Sequence, residues 1–223
     1  MCGRFERSSP IERIASKFNI TQARLIAEPS YNIAPSQNIL VIIEQGTRQF
    51  MSCRWGFIPS WAKDPSIGDK MINARAETVA SKPAFRSAFR KHRCLIVANG
   101  FYEWQKTERK KVPHYIHLRS GEPFGFAGIY SKWVSDTAES IDSCAIITTD
   151  ANDLIRDVHE RMPVIIPHDK VDHWLNDAAN QATLLEMLRP YPAEEMQMYE
   201  VSTKVNSPTY DSPDVIEPSM KEI

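Results

Sequence analysis

The chain has 223 residues, 42% hydrophobic and 25% charged, with a formal net charge of −1. That balance is ordinary for a globular protein and excludes a disordered or fibrous chain. A net charge near zero means that a nucleic-acid ligand would need local rather than global positive charge. The opening MCGRFERSS lacks the apolar stretch of a signal peptide and no run is long enough to span a bilayer, so a cytoplasmic chain without membrane contact is expected.

The first informative residue is Cys2. Removal of Met1 would leave a free α-amine and a thiol on adjacent carbons. Such a 1,2-aminothiol condenses with an aldehyde to an imine, and the thiol then closes on the imine carbon to give a thiazolidine, which an internal cysteine cannot do. An α-amine titrates at roughly 7.7–8.0 and a free thiol near ~8.5, so both groups are expected to be usable near neutrality. The bland alternative is an accident of the start codon. Cys53, Cys94 and Cys144 show neither CxxC nor Cys/His spacing, so no metal site is expected and disulfides are disfavoured in a reducing compartment. Cys94 in CLIVA and Cys144 in CAIIT read as small core residues.

Ser9-Pro10-Ile11-Glu12 reads as a helix start, with Ser9 as the cap, and predicts a helix over about 10–18 with Ile11, Ile14, Ala15 and Phe18 on its apolar face. ILVIIE, EQGT and RQFMSCRWGF predict a hairpin from residue 39. Residues 58–70 predict a surface loop that presents Trp61. A second helix is predicted from Pro83 to about His92, burying Phe85 and Phe89 and displaying Arg86 and Arg90. Lys82, Lys91 and Arg93 add to its positive charge. CLIVANG, FYEWQ, PHYIHL, PFGFAGIYSKW and CAIITT predict successive strands, with ERKK at an exposed tip. Asp150 could cap a short helix before His159. PVIIP predicts a further strand, helices follow at about 169–175 and 180–188, and the tail NSPTYDSPDVIEP reads as irregular. Clustered strands with helices at the margins predict an α+β fold with mainly antiparallel sheets, and no composition break divides residues 1–223, so a single domain is expected. GxGxxG and GxxxxGK[ST] are absent.

Several residues could carry chemistry. Glu103 in FYEW shares a strand face with Phe101, which suits a carboxylate that holds a proton near neutrality, although an edge-strand glutamate facing water fits as well. His159 in DVHERMP is placed as a titrating group at the end of an element, or as a solvated surface histidine. Asn73, Arg75 and Glu77 share a face if their segment is extended, either as an exposed sheet face or as a polar floor for a sugar-phosphate. Arg4 near the terminus, exposed Trp61 and the charged helix offer phosphate contacts and base stacking, although a helix with one charged side also reads as a solvated face.

Taken in order, MCGRF, YNIAPSQ, RWGFIPSW, INARAET, the basic helix, CLIVANGFYEW and DVHERMPVI resemble the SRAP family, the SOS response-associated peptidase-like proteins that process abasic sites in DNA. The resemblance runs to about residue 167 and weakens beyond it, with VSTKVNSP near 201–208 similar to the family's closing segment. It implies a branched, mainly antiparallel sheet or barrel-like core flanked by short helices, and a positively charged groove for single-stranded DNA. It implies Cys2 as the cross-linking residue, Asn73 as an active-site asparagine, Glu103 as a proton-transferring glutamate and His159 as the histidine. Arg4, Arg75 and Arg161 match phosphate-binding positions, and Pro35 and Trp61 lie in loops that shape the groove. Trp61-Ala62 stands where related sequences often carry two tryptophans, so a smaller stacking wedge is expected. The expectation is a monomer that needs no cofactor and forms a thiazolidine cross-link with abasic single-stranded DNA. An N-terminal-nucleophile peptidase and a non-catalytic nucleic-acid-binding module are the alternatives.

Overall fold

The structure is a computed structural model and describes residues 2–21 and 27–219. Met1, whose removal the expected chemistry requires, lies outside the described residues. The apolar runs of the middle of the chain close into a ring of strands: β3 (Asn38–Gln45), β4 (Thr47–Trp55), β6 (Arg93–Ala98), β9 (Phe124–Val134) and β10 (Ser140–Asp150). The order is β10-β4-β3-β6-β9, and β9 pairs back to β10 to complete it. Neighbours in the ring are antiparallel except β4 and β10, which meet in parallel at Ser143↔Arg54 and Cys144↔Trp55. The predicted hairpin is β3–β4, and Gly46 at φ 74° makes its turn.

These strands are hydrophobic on both faces, which explains why ILVII and CLIVA run on rather than alternate. Val41, Cys94, Ile96, Cys144 and Ile146 point to one cluster, while Leu40, Ile42, Leu95, Val97, Ala145 and Ile147 point to another. The second cluster is covered by α1 (Ile11–Lys17), α3 (Arg86–Lys91), α4 (Val171–Leu175) and α5 (Gln181–Glu186). Phe85 and Phe89 are buried in it, as their spacing predicts, each ring contributing about 1.5–3 kcal/mol.

Three short strands branch from the ring: β5 (Asn73–Arg75) and β11 (Arg161–Pro163) on β10, and β12 (Ile165–Ile166) on β9. A five-stranded antiparallel sheet lies alongside, ordered β13 (Met196–Glu200), β8 (Lys111–Leu118), β7 (Gly100–Lys106), β1 (Phe5–Arg7), β2 (Ser30–Ile33). The chain leaves the ring for this sheet at Asn99, whose side chain accepts from the N–H groups of Ser8 and Ser9 and donates to Ser9 Oγ at 2.7 Å. Gly100 follows because a Cβ there would lie 2.4 Å from the Tyr115 ring. The fold is α+β with mainly antiparallel strands, as expected.

Local expectations are corrected in four places. Ser9 is turned inward to Asn99, and Pro10 takes the cap position of α1 without a side-chain bond. Asp150 caps nothing, because the segment before His159 is a turn in which Asn152 Oδ1 accepts from Ile155 N–H. The extended conformation after Asn73 stops at Arg75, and Glu77 lies on α2 (Ala76–Val79). Arg93 is not on the charged face of α3: it is buried on β6 and donates to the carbonyls of Phe89, Arg90, Trp174 and Asn176, which lie at the end of α3 and the close of α4. The segment β13 was not expected to be a strand; it is the edge of its sheet.

Among the described residues no helix is long and apolar enough to cross a membrane.

Candidate functional site

Cys2 leads directly into β1 and is fully buried, sharing the inner cluster with Phe5, Trp55, Phe101 and Ile146. Its thiol donates to Arg4 O at 3.9 Å. Burial, reinforced by the negative charge of Glu103, pushes this thiol far above its ordinary value. Within the fold the thiol therefore gives up its proton less readily than the free thiol on which the expectation rested.

Asn73 reaches the terminus from β5, which its parallel register places beside Ile146 of β10. Its Nδ2 donates to the Cys2 carbonyl at 2.9 Å. Its Oδ1 is buried and accepts no hydrogen bond from the described residues, which leaves an acceptor suited to an ammonium or carbinolamine proton.

Glu103 is buried in β7 between neighbours β8 and β1, not at a sheet edge, so the water-facing alternative is excluded. Burial raises its proton affinity, while the positive chain terminus and His159 act in the opposite sense. The carboxyl therefore holds a proton more firmly than a solvated glutamate. His159 is half-buried at the end of the turn before β11. Its Nδ1 accepts from the Arg161 N–H at 2.9 Å, which leaves the ring proton on Nε2. The fold brings Cys2, Asn73, Glu103 and His159 together from four separated stretches of sequence.

The arginines differ in their surroundings. Arg4 Nη1 donates to Asn32 Oδ1 and Val205 O, both at 2.7 Å, and its guanidinium lies 5.8 Å from the centre of the Trp104 ring. Arg161 is held by Glu77, Asp150 and the Thr148 carbonyl, so a phosphate would have to displace one of these acceptors. Arg75 is exposed on β5, and Arg86 and Arg90 are exposed on α3. Trp61 is 63% exposed in its loop. Pro35 and Ser36, the latter at φ 70°, form a turn tied to that loop, because Ser36 Oγ and Arg54 Nη2 both donate to Asp69 Oδ1. Among the described residues no hydrogen bond or ion pair joins Arg86 or Arg90 to the four-residue cluster. The Phe57–Phe85 ring contact at 5.4 Å nevertheless sets α3 beside the loop that begins after β4.

Sequence reasoning missed Asn32 and Trp104. Asn32 is buried in β2 and donates to the carbonyls of Val205, Ser207 and Tyr210, which fastens the closing segment over Arg4. Trp104 Nε1 donates to Asn206 Oδ1 of the same segment. An asparagine between Tyr31 and Ile33 in an otherwise β-like stretch was the available signal. Among the described residues no cluster of His, Cys, Asp or Glu could hold a metal ion.

The profile of the SOS response associated peptidase (SRAP) family matches residues 1–208, and the chain belongs to that family. It is 47% identical over 222 residues to abasic site processing protein YoqW of Bacillus subtilis, a match covering 97% of this chain and 99% of the relative. It is 32% identical to abasic site processing protein HMCES of Gallus gallus, covering 85% of this chain and 66% of that protein. The crystal structure of a protein from Bacteroides thetaiotaomicron superposes with a TM-score of 0.90 at 27% identity, covering 98% and 100% of the two chains.

Proposed function

We propose that this protein processes abasic sites in single-stranded DNA by forming a thiazolidine cross-link through Cys2 once Met1 is removed. The relatives named for abasic-site processing support the substrate. The observation that carries the chemistry is the hydrogen bond from Asn73 to the Cys2 carbonyl, made beside buried Glu103. It fixes residue 2 by its backbone and leaves the amine and thiol to react.

In this reading His159 Nε2–H gives its proton to the ring oxygen of the closed deoxyribose while the C1′ hydroxyl releases its proton to solvent, from which the imidazole is reprotonated, opening the sugar to the C1′ aldehyde. Glu103 takes a proton from the Cys2 ammonium, and the amine adds to C1′ to give a carbinolamine. The carboxyl returns the proton as the hydroxyl leaves as water, forming the protonated imine. The sulfur then adds to the same carbon while Glu103, again a carboxylate, takes the thiol proton, leaving the neutral thiazolidine. The raised thiol proton affinity orders the steps, with nitrogen reacting first. Ring closure removes the imine that would otherwise permit β-elimination and strand cleavage. No cofactor enters the scheme. The acting unit is a monomer, with residues 1–223 as one domain. Arg4, Arg75, Arg86 and Arg90 supply phosphate contacts, and Trp61 with Pro35 shapes the groove.

The test incubates protein lacking Met1 with a single-stranded oligonucleotide carrying one abasic site, followed by denaturing electrophoresis. A heat-stable adduct is expected, and Cys2→Ala or retention of Met1 should abolish it. Peptide turnover without an adduct would establish the peptidase alternative instead.

A further inference from the structure

We infer that Glu77 is a positioning residue for His159, acting through Arg161; this rests on the reading of the site just given. His159 is pinned twice. Its backbone N–H donates to Ile155 O at 3.0 Å, and its Nδ1 accepts from the Arg161 N–H at 2.9 Å. A ring nitrogen that accepts carries no proton, so the neutral imidazole donates from Nε2, the polarity that protonation of a sugar ring oxygen requires.

The Arg161 backbone position thus bears on the tautomer, and its side chain adds to the strand pairing that holds it in place. Nη1 donates to Glu77 Oε1 at 2.6 Å and Asp150 Oδ1 at 2.7 Å, while Nη2 donates to Glu77 Oε2 at 3.0 Å and Thr148 O at 2.7 Å. The pair with Glu77 is a two-pronged fork, which fixes orientation as well as distance. Only 10% of the Arg161 side chain is exposed against 49% of the Glu77 side chain, so the pair is partly shielded from water at its arginine end.

The two carboxylates are not equivalent. Asp150 sits opposite Arg161 in the β10–β11 register and its side chain is 83% exposed, so it links strands that the backbone already joins. Glu77 comes from α2, immediately after the strand that carries Asn73, and reaches across β10 to β11. It therefore ties the segment that holds the Cys2 carbonyl to the segment that holds His159.

The test uses protein lacking Met1 and abasic single-stranded DNA. Glu77→Gln keeps the shape but loses the charge and one prong of the fork. It should lower the cross-linking rate at saturating DNA about tenfold while changing the half-saturating DNA concentration by less than about twofold. In 15N spectra the wild-type His159 should show an acceptor Nδ1 and a protonated Nε2, and the variant should show averaged tautomers. Asp150→Asn should leave the saturating rate within about twofold of wild type. A Glu77→Gln variant with the wild-type saturating rate, or with its defect confined to half-saturation, overturns the inference. So does a wild-type His159 protonated on Nδ1, a measurement that decides the matter even if the variant does not fold. Failure of the wild type to form any adduct would instead sink the functional reading, because the tautomer spectrum needs no reaction.

Discussion

The Cys2 cluster and the exposed rim around Trp61 and α3 use opposite physics. In the cluster, Cys2 and Glu103 are withdrawn from water and Asn73 and His159 are fixed by hydrogen bonds, so charges act strongly on one another and geometry is set before any ligand arrives. On the rim, Trp61, Arg75, Arg86 and Arg90 stand in solvent, where charge is screened and side chains adapt. The contrast assigns rate to the interior and affinity to the surface. Substitutions in the first should change what happens at saturating DNA, and those in the second how much DNA is needed.

The sharpest way to break that division is Cys2→Ser. The variant keeps the amine and an oxygen at the sulfur position, so imine formation should survive while the stable ring is lost. The expected result is no heat-stable adduct, with a protein–DNA band recovered when borohydride reduces the imine. A fully stable adduct from the serine variant would show that sulfur is not the atom that seals the product.

Glu6 separates a buried carboxylate of the fold from one of the chemistry. It lies on β1 with Cys2 just before it, fully buried, and accepts from Tyr115 Oη–H at 2.5 Å. Burial raises it from an ordinary 4.5 to about 7. Below pH 4.5 both folded and unfolded chains hold this proton; between 4.5 and 7 only the folded chain does, so stability falls as pH rises through that window and levels above it. The loss amounts to about 3 kcal/mol. Glu6→Gln keeps an acceptor for Tyr115 and should flatten this part of the stability profile in denaturant titrations, with the pH dependence of cross-linking unchanged. Glu103→Gln should do the reverse to cross-linking, slowing it at every pH. If Glu6→Gln reshaped the cross-linking profile, the boundary between scaffold and site would have to be redrawn.

What could be read from the sequence follows the same boundary. The β3–β4 hairpin and the buried rings of α3 were legible because each depends on local pattern: β-like runs on either side of Gly46, and phenyl rings one turn apart. Two of the misreadings are set by distant partners. Arg93 looked like part of a charged face, yet carbonyls at Trp174 and Asn176 draw it inside. Glu77 looked like the third member of an extended triplet, but α2 turns it toward Arg161. The strand β13 is a short, half-buried edge, MQMYE, and gives only a weak strand signal. Cys2, Asn73, Glu103 and His159 were identified as a set through family resemblance; no spacing in the chain says that β5 and β7 converge on the amino terminus.

On the rim, Trp61→Ala is expected to weaken binding of single-stranded abasic DNA by about 1–3 kcal/mol, the usual loss of one base–aromatic stack, with the saturating cross-linking rate retained. Fluorescence anisotropy at fixed salt together with single-turnover gels would separate the two quantities. A slower saturating rate would mean that Trp61 orders the lesion at Cys2 as well as gripping its neighbour.

The mildest effect belongs to Arg86 and Arg90, and it is best seen as a slope. Each phosphate contact on single-stranded DNA contributes roughly −0.7 to the log–log dependence of binding on salt, because neutralising the phosphate releases its counterion. Arg86→Ala and Arg90→Ala should each lower the slope by about that amount if α3 lies along the bound strand. Binding measured across a salt series decides this where a single affinity cannot, since loss of a long-range field weakens binding without removing a contact. An unchanged slope in both variants would confine the DNA path to the Trp61 loop and Arg75, leaving α3 as a solvated face whose work is to bury Phe85 and Phe89.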